Sequence, residues 1–211
     1  MAMRRAATVG DWSRGDQGEP VSAKLERIVD LAEEHFEAGR KLLVFSYFLD
    51  TLDALGKRLP NMGTLHGEVS PNDRAELIDA FTAHEGPAVL LAQITAAGVG
   101  LNLQAASVVI LAEPQWKPSI EDQAIARAHR MGQTERVVVH RLLATDTVDE
   151  RIVELLEDKR DLFELYARDS LVKEAAADAT EASLAKMVVE VERARMAEAG
   201  ELPEAVEGEA D

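Results

Sequence analysis

The sequence predicts an α/β fold, a mostly parallel central sheet flanked by helices, on three observations. Short, nearly continuous apolar runs recur at 41–46, 62–66, 87–93, 107–113 and 136–144, the pattern of strands buried on both faces. Helical segments or long loops separate them, as parallel connections require. A chain of 211 residues with 46% hydrophobic and 29% charged residues can bury one core of about 150 residues with appendages.

Each element follows in order. Ser22 is a helix N-cap, and Leu25, Ile28, Val29, Ala32 and Phe36 form an apolar stripe at helical spacing up to Glu37, with Gly39 as the terminator. KLLVFS (41–46) is the first strand, followed by a helix around 48–58, the strand MGTLH (62–66) and a helix at 71–83. PAVLLAQ (87–93) and SVVILAE (107–113) are the third and fourth strands, a helix covers 119–131, and RVVVHRLLA (136–144) is the fifth strand. A further helix at 148–167 opens on Asp149-Glu150. That acidic pair begins a helix and does not end a strand, so macrodipole complementarity explains it better than a metal-binding box. Beyond it lie an Ala/Glu-rich stretch with one helix at 181–197 and a solvated acidic end. The expected organisation is a flexible N-terminal lead (1–21), a lobe (22–145), a helical extension (146–198) and an acidic disordered tail (199–211).

Composition removes several function classes. Cysteine is absent, which excludes disulfides, thiol catalysis and cysteine-ligated zinc. The five histidines show no HxxxH or HxH spacing, and no metal site is expected. The longest apolar stretch, Leu42 to Leu49, is far below the ~20 residues of a membrane span, and the N-terminus lacks an apolar signal region. No membrane partner is expected, and the location expected is cytoplasmic, associated with the nucleoid. A net charge of −16 argues against a polyanionic partner until it is located: residues 1–38 carry −3, residues 39–145 carry −1 and residues 146–211 carry −12.

Three constellations could carry chemistry. At 100° per residue, Gln123, Arg127 and Arg130 lie within about 60° on a helix, while Ala124, Ala128 and Met131 form a separate apolar strip. An amide and two guanidiniums projecting together suit a polyphosphate; a solvated face paired with Glu121 and Asp122 is the alternative. Gln93 to Leu103, with Thr95, Gly98 and Gly100, follows the third strand. Its glycines would let backbone N–H groups approach a ligand, although a tight crossover turn has the same composition. Ser46, His66-Gly67 and Trp116-Lys117 leave strands at the same sheet rim, where parallel sheets bind ligands. They offer a hydroxyl, an imidazole and an exposed indole for nucleic-acid contacts, unless Trp116 only caps a hydrophobic edge. Missing is a GxxxxGK[ST] phosphate loop, since Gly56-Lys57 has Thr51 where the first glycine belongs, and so is a strand-terminal acidic pair for Mg²⁺.

In this order, the motifs resemble the second RecA-like lobe, the C-terminal helicase domain, of SWI/SNF-family helicase-like ATPases of superfamily two, over about residues 22–167. Lys41-Leu-Leu-Val-Phe-Ser-Tyr-Phe resembles motif IV. Leu65-His-Gly-Glu-Val-Ser with Arg74 and Phe81 resembles the segment after it, Gln93 to Leu103 motif V, and Glu113-Pro-Gln-Trp-Lys-Pro the next segment. Gln123-Ala-Ile-Ala-Arg-Ala-His-Arg-Met-Gly-Gln resembles motif VI, and ITAAGVGL the bacterial and annealing-helicase-like branches. The sequence departs from the pattern at His66 (often Asp), Thr95 (usually Arg) and Lys117 (usually Asn). The resemblance implies a motor that couples ATP hydrolysis to translocation on double-stranded DNA. ATP with Mg²⁺ would be bound mainly by a first RecA-like lobe that these residues do not contain, making the chain an excised domain or half of a split enzyme, inactive alone. Arg127 and Arg130 would be arginine fingers, and Gln123, Gly98 and Gly100 would couple nucleotide to lobe closure. Ser46, His66, Gly67, Thr95 and Trp116 would face DNA. The alternatives are a non-catalytic module that docks on DNA or protein and, on a weaker footing, an RNA helicase lobe.

Overall fold

Alternation along the apolar runs sorts their side chains onto two faces of one sheet. The computed structural model describes residues 2–9, 22–96, 102–133 and 135–166. The five strands are β1 (Lys41–Ser46), β2 (Thr64–Leu65), β3 (Ala88–Gln93), β4 (Val108–Leu111) and β5 (Val138–Arg141), in the order β2-β3-β1-β4-β5 with every pairing parallel. This is the α/β architecture the alternation predicts.

Leu42 and Val44 of β1, Val89 and Leu91 of β3 and Val108 and Ile110 of β4 pack with Leu25 and Ile28 of α2 (Ala23–Glu37) and Leu52 and Leu55 of α3 (Leu49–Arg58). The intervening residues Leu43, Phe45, Leu90, Ala92, Val109 and Leu111 pack on the opposite face. Their partners include Phe81 of α4 (Pro71–Ala83) and Ala124 and Ala128 of α5 (Pro118–Ala128). Burial on both faces explains why these strands read as continuous apolar runs.

Local signals set the helix ends. The Ser22 hydroxyl accepts from the Leu25 N–H at 3.4 Å, and Ser70 caps α4 ahead of Pro71. Gly39 closes α2 at φ +70°, a conformation that favours glycine.

Two expectations are corrected and a third is extended. Residues 2–9, read as part of a flexible lead, form α1 (Ala2–Val9), tied down by the Ser22 hydroxyl donating to Thr8 O at 2.6 Å and by an Arg5–Asp50 ion pair. The helix read at 119–131 ends at Ala128, because His129 leaves helical geometry at φ −90°, ψ 79°. Asp149, read as a partner of a helix macrodipole, does stand in the first turn of its helix but is also fully buried in an ion pair with Lys24.

The chain divides into two compact units, Met1–Asp149 and Glu150–Asp211. The described part of the second is the continuation of α6 (Val148–Tyr166), where Arg151 and Glu154 pair at 2.6 Å. The helix expected at 181–197 and the acidic tail at 199–211 lie outside the described residues. Among those residues no helix is long and apolar enough to cross a membrane.

Candidate functional site

The parallel register aligns Ser46 with Gln93, Leu65 with Ala92 and Leu111 with Phe45, so four strands end on one rim. Beneath it sits Glu113, 1% exposed. Its carboxylate accepts from the Tyr47 N–H at 2.6 Å, the Ser46 hydroxyl at 3.0 Å and the Gln115 amide at 3.2 Å. Burial pushes this carboxyl up from the ordinary range, opposed by the Tyr47 and Ser46 hydrogen bonds and by the charges of Arg4 and Lys24. Arg4 of α1, itself 2% exposed, donates to Pro114 O at 2.6 Å. Its guanidinium lies 5.6, 5.7 and 5.6 Å from the ring centroids of Tyr47, Phe48 and Trp116.

These contacts revise the rim. Ser46 is completely buried with its hydroxyl committed to Glu113 and the Phe48 N–H, and Trp116 is buried beneath Arg4 instead of being an exposed indole. His66 is half-buried, and its carbonyl accepts from Arg74 at 3.1 Å. Gly67 and Thr95 are exposed, with open space where a Gly67 Cβ would stand. Of the five residues that the resemblance sets against DNA, those two are the exposed ones.

The second cluster is built on α5. Pro118 starts the helix, buried Ala124 and Ala128 anchor it to the sheet, and Gln123 points to solvent while Arg127 is half-buried. Arg130 lies beyond the helix end, exposed and without an ion pair among the described residues. Gln123 and Arg127 therefore share a face of α5, and Arg130 does not. Met131 belongs to no buried strip, being 97% exposed. Glu121, weighed as a partner for these arginines, is instead held by Arg141 at 2.8 Å and by the Gln115 N–H at 2.9 Å. The Leu103 N–H donates to Arg127 O at 3.2 Å, joining the loop after β3 to the arginines. Gly98 and Gly100 of that loop lie outside the described residues.

Sequence reasoning gave no role to Arg4, Glu113 or the glutamines Gln104 and Gln133, although Glu113 and Gln133 stand within the segments that carry the resemblance. Arg4 and Glu113 meet from 109 positions apart in a chain where nothing local links them. Among the described residues no three His, Asp or Glu side chains group as metal ligands. A parallel sheet, arginines at the end of a buried-face helix and loops leaving one rim together define a RecA-like lobe.

The helicase conserved C-terminal domain matches residues 23–132, and the chain belongs to that family, in its SWI/SNF branch. It is 37% identical over 145 residues to an uncharacterized ATP-dependent helicase of Mycoplasma pneumoniae, covering 67% of this chain and 14% of the relative. It is 33% identical over 175 residues to the DNA repair protein RAD5B of Arabidopsis thaliana, covering 81% of this chain and 13% of the relative. Among solved structures, the C-terminal part of the Fun30 ATPase domain superposes with a TM-score of 0.61 at 31% identity, covering 68% of this chain and 46% of that one. The Sulfolobus solfataricus SWI2/SNF2 ATPase C-terminal domain gives 0.54 at 29%, covering 69% and 60%. The chain thus spans about a seventh of the length of these curated relatives.

Proposed function

We propose that this lobe is the second half of a two-lobed motor that couples ATP hydrolysis to translocation on double-stranded DNA, at the nucleoid in the cytoplasm. The observation that carries the reading is the end of α5, a helix fixed to the sheet by Ala124 and Ala128, with Arg127 in its last turn and exposed Arg130 in the turn just beyond it. Guanidiniums held this way stabilise charge developing on a transferred phosphoryl group, a contribution worth roughly 10³–10⁵ in rate. ATP with Mg²⁺ would be held mainly by a first lobe that carries the phosphate loop. Gln123 lies on the same helix as Arg127 and would follow the nucleotide as the lobes close. Gly67 and Thr95, exposed on the rim, would take the DNA backbone, with His66 beside them. Buried Ser46 and Trp116 would shape that rim from beneath through Glu113 and Arg4.

The test compares ATP turnover by this chain alone with turnover by a polypeptide carrying both lobes, with and without duplex DNA. The chain alone should show negligible turnover. In the two-lobed protein Arg127→Ala or Arg130→Ala should lower DNA-stimulated turnover by about a hundredfold or more. Unchanged turnover in either variant sinks the finger assignment.

A further inference from the structure

Arg130 poses a mechanical problem. A catalytic group misplaced by 1 Å can lose about 10²-fold in rate, yet this residue stands past the last helical turn, held by its N–H to Ala128 O at 3.2 Å. The turn that follows, 130–133, overhangs a cavity of about 330 Å³ whose lining includes Gly132 and Gln133 from the turn and Arg40, Lys41 and Ser107 from the sheet's amino edge. On that side the turn borders open space.

Two glutamines hold it. The Gln104 side-chain amide donates to Met131 O at 2.7 Å. Both donors of the Gln133 side chain are spent on the segment leading into β4, at 2.8 Å to Gln104 O and 2.9 Å to Ala106 O, and its oxygen accepts from the Glu135 N–H at 2.9 Å. The Gln133 N–H closes the turn on Arg130 O at 3.0 Å. Gly132 adopts φ +108°, and a Cβ there would lie 3.4 Å from the Gln104 carboxamide oxygen, so turn and glutamine are in contact. Arg130 and Met131 are thus gripped from both sides of Gly132.

We propose that Gln104 and Gln133 are positioning residues for the phosphoryl-transfer reaction, a reciprocal clasp that fixes Arg130 and ties its turn to the segment following the β3 loop. The proposal rests on the finger reading above. Because Gln104 belongs to that segment, a displacement of the loop would reach Arg130 through three hydrogen bonds.

The isosteres Gln133→Glu and Gln104→Glu remove the donors while keeping shape. In the two-lobed protein each should lower kcat at least tenfold and leave KM for ATP within about threefold. Arg130→Gln/Gln133→Glu should be no slower than Arg130→Gln alone, because the clasp acts through the arginine. Losses that multiply in the double variant, or a kcat within about twofold of the parent in both single variants, overturn the clasp while leaving the finger in place. An Arg130→Gln variant with parental turnover overturns the finger and the clasp together. Should Gln133→Glu fail to fold, Gln104→Glu, which cuts one exposed hydrogen bond, carries the same test. Amide exchange in the chain itself should then quicken about tenfold or more at 130–133 and remain unchanged in α5, and an unchanged turn overturns the clasp.

Discussion

Lys24→Met should destabilise the lobe by about 3–5 kcal/mol, the range for removing one partner of a buried ion pair. Lys24 is 5% exposed and Asp149 0%, and the ammonium also donates to Ala112 O at 3.0 Å. Methionine keeps most of the stem's packing, so the loss is that of the charge. The Asp149 carboxylate would keep the Ala144 N–H at 3.1 Å but nothing to offset its desolvation. At about 2–4 °C per kcal/mol for a chain of this size, the melting temperature should drop by roughly 6–20 °C. Scanning calorimetry at ~0.15 M and ~1 M salt should show the same drop, since buried pairs are little screened. Lys24→Met/Asp149→Leu should cost less than the sum of its two single variants by more than about 2 kcal/mol. A Lys24→Met melting temperature within about 2 °C of the parent, or an additive cycle, refutes the reasoning.

Two further outcomes concern other buried polar groups. His35 and His140 meet at 2.9 Å between Nε2 atoms, and burial lowers both imidazole pKa values. His140 and Arg40 lower His35 further against Glu34, while at His140 Glu34 raises and Arg27 lowers. With both folded-state values depressed, the stability they contribute is present above the ordinary pKa of about 6.5 and lost as pH falls. Melting temperature should decline between about pH 7.5 and 5, less steeply in His140→Phe, and an equal slope in that variant excludes the pair as the cause. Arg4→Gln should cost about 2 kcal/mol from its aromatic contacts and its hydrogen bond. In a Trp12→Phe background, which leaves Trp116 as the sole tryptophan, it should increase acrylamide quenching, and unchanged quenching would show that Arg4 does not cover that ring.

The sheet was legible because burial on both faces writes itself into sequence as uninterrupted runs such as Leu42–Phe45 and Val108–Leu111, and the helices because their ends carry Ser22, Gly39 and Ser70. The end of α5 was not, since Met131 continues an apolar spacing that the backbone has already abandoned at His129. Gly132 was the one local hint. The rim was misread for a different reason: the partner of Ser46 lies 67 positions away in Glu113, and the cover over Trp116 comes from Arg4, 112 positions before it. The charge was informative only once divided, with the lobe near neutrality and the excess acid after Thr145.

The central place of β1 has a consequence for how the protein is made. Its two neighbours, β3 and β4, are both synthesised later, with Phe45 paired to Ala92 and to Leu111. At roughly 5–20 residues per second, some 3–13 s separate the appearance of Phe45 from that of Leu111. Until β3 emerges this apolar strand has two open edges, and until β4 follows it still has one, with chain entropy opposing closure of each long connection. The nascent lobe should therefore depend on chaperones that hold extended apolar segments, and a transcript truncated before β4 should yield aggregate instead of a smaller folded domain.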